Sequence, residues 1–340
     1  MLRKKLMIPC LLVLGLIGGV EPGHAEESML NTFNIEGVQN DNQIDPDAGY
    51  FYLHEEPGAI DEIKVKVNNT SNEEKKFTVT VVDANTNSNG LIDYTGQIPN
   101  AKELPHPLTS ILDPDKQDIS IPENGSKEVT LKVKMPEKRQ TGVIMGGIVV
   151  SEQKEDTEKT KRISVGNTFS YTLGVLLTNE NDKTYQKNVS LDLTNVEAKL
   201  LDGRKIVEAK MLNNNPYIFG TAKMEGKIMS DDSHQVVIHE KKQEGISIAP
   251  FSIFPFQIDY GKDELTPGKY VFKGVVTTDE KKWHFIKKFE ITGEQAKKIN
   301  KESVFKVRIS PLLTNAFYIL IISNVIALTV IILKRGKNDE

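Results

Sequence analysis

Short runs in which apolar and polar residues alternate at period two constrain this chain most. Ile63, Val65 and Val67 alternate with Lys64 and Lys66. Phe77, Val79 and Val81 alternate with threonines, and Val129, Leu131 and Val133 repeat the pattern. Successive side chains of a strand point to opposite faces, so each run offers one face to a core and the other to water. Turn residues separate the runs: Pro57 and Gly58, the polar stretch Asn68 to Asn72, and Pro122 to Gly125. Short strands spaced by such turns, with no convincing amphipathic helix between them, predict an antiparallel β-sandwich.

Tyr50, Phe51, Tyr52 and Leu53 are strong strand formers. Alternation puts Tyr50 and Tyr52 on one face and Phe51 and Leu53 on the other, so at least one pair belongs to the core. Val143–Glu152 and Phe169–Leu177 flank a run of mixed charge and predict a hairpin with a solvated tip. Gly146 and Gly147 inside the first of these strands imply a bulge or a close backbone approach. A second set of strands follows: Val189–Leu193, Val196–Met211 turned at Leu201–Arg204, the proline-broken Ile246–Ile258, Val271–Thr277 and Trp283–Ile291. The expected fold is all-β: two tandem immunoglobulin-like β-sandwiches over residues 29–180 and 186–294, plus one C-terminal transmembrane helix. The exact boundary between the sandwiches lies between residues 152 and 188, and residues 295–311 have the composition of a helical juxtamembrane stalk.

The helix is expected over residues 312–333, a run of 22 residues without a charge. As an α-helix it would be roughly 33 Å long, enough to cross a hydrocarbon core. Lys334, Arg335 and Lys337 follow at once and would hold the tail, residues 334–340, on the cytoplasmic side. At the other end Arg3, Lys4 and Lys5 precede the apolar Leu6–Val20 and the small residues Gly23 and Ala25. Residues 1–25 therefore read as a signal peptide, the alternative being an uncleaved signal anchor. The expected location is the cell membrane, single-pass, with the bulk of the chain outside in the wall space. The single cysteine, Cys10, would leave with the signal peptide. A secreted region with no disulfide is ordinary for Gram-positive bacteria, where each domain relies on its core alone. No LPxTG motif precedes the apolar run, so the chain is not expected to be sorted to the wall covalently.

The net charge of −4 hides an asymmetry. Glu26 to Ile63 holds ten acids and no Lys or Arg, whereas Lys281 to Arg308 holds nine bases against three acids. The basic end would attract anionic lipid or wall polymer, or else is a solvated Lys-rich surface.

Motifs for catalysis are absent. His54, His106, His234, His239 and His284 show no paired metal spacing, and Gly245 to Ala249 only approaches a nucleophile elbow. The sequence reads as no enzyme, with neither cofactor nor metal. Asn85, Asn87, Asn89, Gly90 and Ile92 follow the first places of a calcium loop, but Gly96 stands where the bidentate acid is needed. The alternative is an Asn-rich turn in which Asn89 and Gly90 take left-handed angles. Tyr50 and Tyr52 suit either stacking on a pyranose or a place in the core. The candidate binding residues are thus Tyr50, Tyr52, Asn85, Asn87, Asn89, Asp93 and Tyr94.

The order of several motifs resembles the WxL-interacting proteins of Gram-positive surfaces. They are Tyr50, Phe51 and Leu53; Pro57 and Gly58; Val65, Val67 and Asn69; Thr86 to Tyr94; Gly142 to Ile148; Gly174 to Leu177; and Pro267, Gly268 and Tyr270. The family's Thr-Thr-Asn reads Asn85, Thr86 and Asn87 here. The resemblance implies a first domain that binds peptidoglycan and a second that engages host matrix proteins or a partner, in complexes with WxL-domain proteins. A single Trp and no WxL motif make this chain the anchor of such a complex. The leading reading is a non-catalytic adaptor. A wall-glycan-processing enzyme or its regulatory subunit is the alternative, and a structural spacer the third.

Overall fold

The computed structural model describes residues 32–153, 169–181, 183–305 and 311–336. The expected signal peptide, the tip of the first hairpin and Lys337 lie outside them.

The first eleven strands are β1 (Phe33–Gly37), β2 (Phe51–His54), β3 (Ile60–Asn69), β4 (Lys75–Asp83), β5 (Asn85–Thr86), β6 (Ile92–Asp93), β7 (Leu112–Asp113), β8 (Lys116–Ile121), β9 (Ser126–Lys134), β10 (Ile144–Glu152) and β11 (Ser170–Thr178). They form one sheet in the order β1-β3-β9-β7, a second in the order β2-β11-β10-β4-β8, and the small hairpin β5-β6. The alternating runs supply the core between the sheets. Ile63, Val65 and Val67 of β3 and Val129, Leu131 and Val133 of β9 pack against Phe77, Val79 and Val81 of β4. β2 runs parallel to β11, pairing Phe51 with Val175 and Leu53 with Leu177. Phe51 and Leu53 enter this core, and Tyr52 is buried on the opposite face of the sheet with Val143 and Leu176.

The second sandwich comprises β12 (Asp192–Leu201), β13 (Arg204–Leu212), β14 (Phe219–Ser230), β15 (Val237–Ile248), β16 (Ile253–Asp259), β17 (Gly268–Thr277) and β18 (Lys282–Ile291). Its sheets are β12-β13-β16 and β15-β14-β17-β18, around buried Phe219, Phe254, Phe256 and Phe272. Asp202 and Gly203 turn the β12–β13 hairpin at φ of 49° and 74°, the left-handed angles of a two-residue hairpin loop. Pro255 sits in β16 at a sheet edge, where a missing N–H is tolerated. Helix α1 (Gly293–Glu302) opens with a capping box between Thr292 and Gln295. Ala296 and Ile299 place its apolar side in the second core, and Gln295 donates to the Ala198 carbonyl at 2.7 Å. The segment with stalk composition is thus docked on the sandwich over these residues.

The transmembrane part of the expected fold is corrected. Among the described residues no helix is long and apolar enough to cross a membrane. Helix α2 spans Pro311–Gly336. Lys334 and Arg335 fall at the end of α2. Among the described residues the architecture is two β-sandwiches with two α-helices.

Candidate functional site

Gly147 of β10 and Gly174 of β11 are cross-strand partners, so the outer face of the five-stranded sheet carries a patch of bare backbone. Tyrosines cover it. A Cβ on Gly147 would lie 3.0 Å from the Tyr94 ring and 2.9 Å from the Thr172 methyl. One on Gly174 would lie 3.5 Å from the Tyr50 Cβ and 3.9 Å from the Tyr94 hydroxyl. The glycines therefore mark a close approach, and the β10–β11 register runs through them without a bulge. Tyr185, on the connector to the second sandwich, accepts a long hydrogen bond of 3.4 Å from the Tyr50 hydroxyl. Its ring meets that of buried Tyr52 edge-on at 5.4 Å between centroids. Tyr50, Tyr94 and Tyr185, walled by Met145, Leu176 and Ile218, line an open groove of about 410 Å³.

Among the described residues no carboxylate, ammonium or imidazole lines the groove, and the outside charge felt by Tyr50 is that of Asp45. Burial pushes the Tyr94 phenol up to about 12. Burial, then the hydrogen bond and charge of Tyr185, also raise Tyr50. Both phenols stay protonated at physiological pH and act as neutral hydrogen-bond groups.

Tyr94 directly follows β6 of the β5–β6 hairpin, which Asn85, Asn87 and Asp93 brace through local hydrogen bonds. Asn85 donates to the Ile98 carbonyl at 3.1 Å and to Asn100 at 2.9 Å, and Asn100 donates to Asp83 at 2.7 Å. The Asn87 side chain accepts from the amides of Asn89 at 2.9 Å and Leu91 at 3.3 Å, with Gly90 at φ 69°. Asp93 accepts from the Thr95 amide at 2.9 Å and its hydroxyl at 2.6 Å. These are the Asx-type bonds that shape a tight loop. Among the described residues no cluster of three or more acidic, His or Cys side chains could hold a metal.

The same loop grips the second sandwich. Fully buried Thr86 accepts at its hydroxyl from the Ala249 amide and from the Ser252 hydroxyl, each at 3.0 Å. Ser247 donates its amide to the Gly90 carbonyl at 2.7 Å. A second seam joins the Val143 amide to the Pro216 carbonyl at 2.9 Å, with left-handed Gly142 leaving room for that carbonyl. Beside it the Tyr217 hydroxyl donates to Glu180, and Gln186 bridges to Ile218. This seam brings Ile218 to the groove.

Of the residues singled out in the sequence, Tyr50 and Tyr94 meet in the groove, while Tyr52 is buried beneath it. Asn85, Asn87, Asn89 and Asp93 do not line it; they build the loop that presents Tyr94. Tyr185, Gly174 and Ile218 were missed, because only the chain's return past β11 brings them there. The glycine pair was the one local signal.

Residues 33–152 match the family model described as "WxL Interacting Protein, peptidoglycan binding domain", and residues 160–301 match "WxL Interacting Protein, host binding domain". The chain belongs to the WxL-interacting protein family. The first sandwich of this WxL-interacting protein is thus of the peptidoglycan-binding type and the second of the host-binding type. The host-binding match begins early enough to include β11, which pairs within the first sandwich. No individual curated protein matches the chain. Among solved structures, the E. coli chaperone DraB is 12% identical, with 76% of this chain and 96% of that one covered and a TM-score of 0.28. The class 5 fimbriae chaperone CfaA is 14% identical over 75% and 98%, with a TM-score of 0.27. A PapD-like domain of human CEP192 is 11% identical over 49% and 100%, also at 0.27.

Proposed function

We propose that this WxL-interacting protein is a non-catalytic adaptor working outside the cytoplasm. Its first sandwich holds peptidoglycan, and its second holds a protein: a WxL-domain surface protein, a host matrix protein, or both. The observation that carries the wall contact is the neutral tyrosine groove on the first sandwich. Concave, aromatic-lined sites with a few placed polar groups are the usual form of a ligand site. The two sandwiches are clasped through Thr86 and Gly142, so anything bound by one is held close to anything bound by the other. Such tethering raises effective concentration and lets individually weak contacts suffice.

The test is sedimentation of the full chain with purified, polymer-stripped peptidoglycan, the supernatant being assayed for released sugar. Co-sedimentation without release is the expected result. Released muropeptides overturn the non-catalytic reading, and failure to sediment removes peptidoglycan as the ligand.

A further inference from the structure

The peptidoglycan reading leaves open which part of the polymer is gripped, and the groove's chemistry decides it. Peptidoglycan offers neutral sugar rings and peptide stems that carry carboxylates and amines. A charged group entering a groove whose described lining carries no charged side chain loses hydration without a direct ion-pair partner, and a carboxylate would also be repelled by Asp45. Tyrosine rings supply the opposite: flat apolar faces for the C–H face of a pyranose, and hydroxyls at their rims. Two of those hydroxyls have hydrogen-bonding capacity to spare. The Tyr94 hydroxyl has no partner among the described residues. Tyr185 accepts from Tyr50, and its own proton has no acceptor among them. Both tyrosines are half-buried and line the open groove, so their hydroxyls can donate to hydroxyl or acetamido oxygens of a sugar.

The groove is also shared. Tyr50 and Tyr94 belong to the first sandwich, whereas Ile218 belongs to the second, just before β14. Ile218 donates its amide to the Tyr185 carbonyl at 3.0 Å, so the connector and the second sandwich set the third tyrosine together.

We propose, resting on the peptidoglycan reading, that this groove receives one N-acetylated hexosamine ring of the glycan strand and excludes the peptide stem, with both sandwiches contributing to the site. The open form of the groove suits a ring within a longer strand.

The full chain would be titrated calorimetrically with a β-1,4-linked N-acetylglucosamine tetramer and, separately, with free stem peptide. The same preparations would be sedimented with peptidoglycan. The wild type is expected to bind the tetramer saturably and the peptide not at all. Tyr185→Ala is expected to weaken tetramer binding about tenfold, as the loss of one aromatic contact would. Tyr185→Phe keeps the packing on Tyr52, removes the hydroxyl both as donor and as acceptor for Tyr50, and is expected to lose severalfold; circular dichroism confirms that each variant is folded. Peptide binding, or tetramer binding unchanged in both variants, overturns the groove assignment. If the wild type sediments with peptidoglycan yet ignores the tetramer, the assignment falls while the peptidoglycan reading stands. If it binds the tetramer but does not sediment, the groove stands and the peptidoglycan reading falls.

Discussion

The Thr86 hydroxyl accepts the backbone amide of Ala249 at 3.0 Å, joining two residues 163 positions apart in the chain. Neither group is exposed to water, and the Ser252 hydroxyl completes the contact. Thr86→Val keeps the shape of the side chain and removes the acceptor. Two buried donors then lose their partner, at a cost of about 1–3 kcal/mol. We expect a lower thermal midpoint and, in small-angle scattering, a wider distribution of interdomain distances. A variant as stable and compact as the wild type would show that the clasp contributes nothing.

Gly147→Ala places a methyl group against the Tyr94 ring and the Thr172 methyl, at 3.0 and 2.9 Å. Both are side chains that give way, so the expected cost in stability is modest, about 1–3 kcal/mol as for other overpacked sites. The larger effect is expected on the groove. Tyr94 must lift from the sheet, and binding of the N-acetylglucosamine tetramer should weaken more than the thermal midpoint falls. Unchanged tetramer affinity would separate Tyr94 from the site.

Much of this was legible from local pattern. Ile63, Val65 and Val67 declared their strand and its buried face, and Leu201 to Arg204 declared a hairpin turn. Tyr50 and Tyr52 declared a shared face, though not that Tyr52 would be covered. What failed to show depends on contacts far apart in sequence. Nothing near Thr86 says that Ala249 will reach it, and Tyr185 lies in a polar stretch with no strand pattern. The Asn residues of the loop misled because a short amide beside a glycine serves equally to bind a cation or to fold its own backbone. Leu312 to Leu333 declared a helix, which α2 is, whereas the membrane crossing read from its lack of charge is overturned: among the described residues no helix is long and apolar enough to cross.

Each sandwich buries one asparagine that ties three carbonyls. Asn69 donates to Glu73, Ile121 and Pro122 at 2.8, 3.1 and 2.9 Å. Asn213 does the same for Tyr217, Ile248 and Ala249 at 2.8, 3.2 and 3.0 Å. Replacing either by Ala strands these carbonyls and is expected to cost about 1–3 kcal/mol in urea unfolding. Asp at either position should be worse, since a carboxylate would face carbonyl oxygens. If Asp proves the milder change, the carbonyl ties are not what these residues supply.

Buried Glu55 gives the first sandwich a pH dependence of definite sign. The Asn42 amide lies 3.3 Å from a carboxyl oxygen of Glu55 and 3.3 Å from one of Asp61. Burial, and then the hydrogen bond and charge of Asp61, push Glu55 from the ordinary 4.5 up to about 7. Asp61, which burial alone would raise, is held below its ordinary 3.8 by hydrogen bonds from Asn40, Glu62, Glu55 and Asn42. The folded state therefore keeps a proton on Glu55 that the unfolded chain releases. Its stabilising contribution is complete below about 4.5 and is lost as pH rises through about 7. His239 in the second sandwich acts in the opposite direction. Burial lowers its pKa from 6.5 despite Asp263 and Asp259, so its contribution falls as the medium acidifies. The whole-protein midpoint thus mixes two slopes, and Glu55→Gln isolates one of them. The variant is expected to be more stable than the wild type near pH 8, where the wild type buries a charge. That advantage should shrink toward zero near pH 5, below most of the titration. A difference between the two proteins that does not change with pH would mean that Glu55 titrates as it does in the unfolded chain.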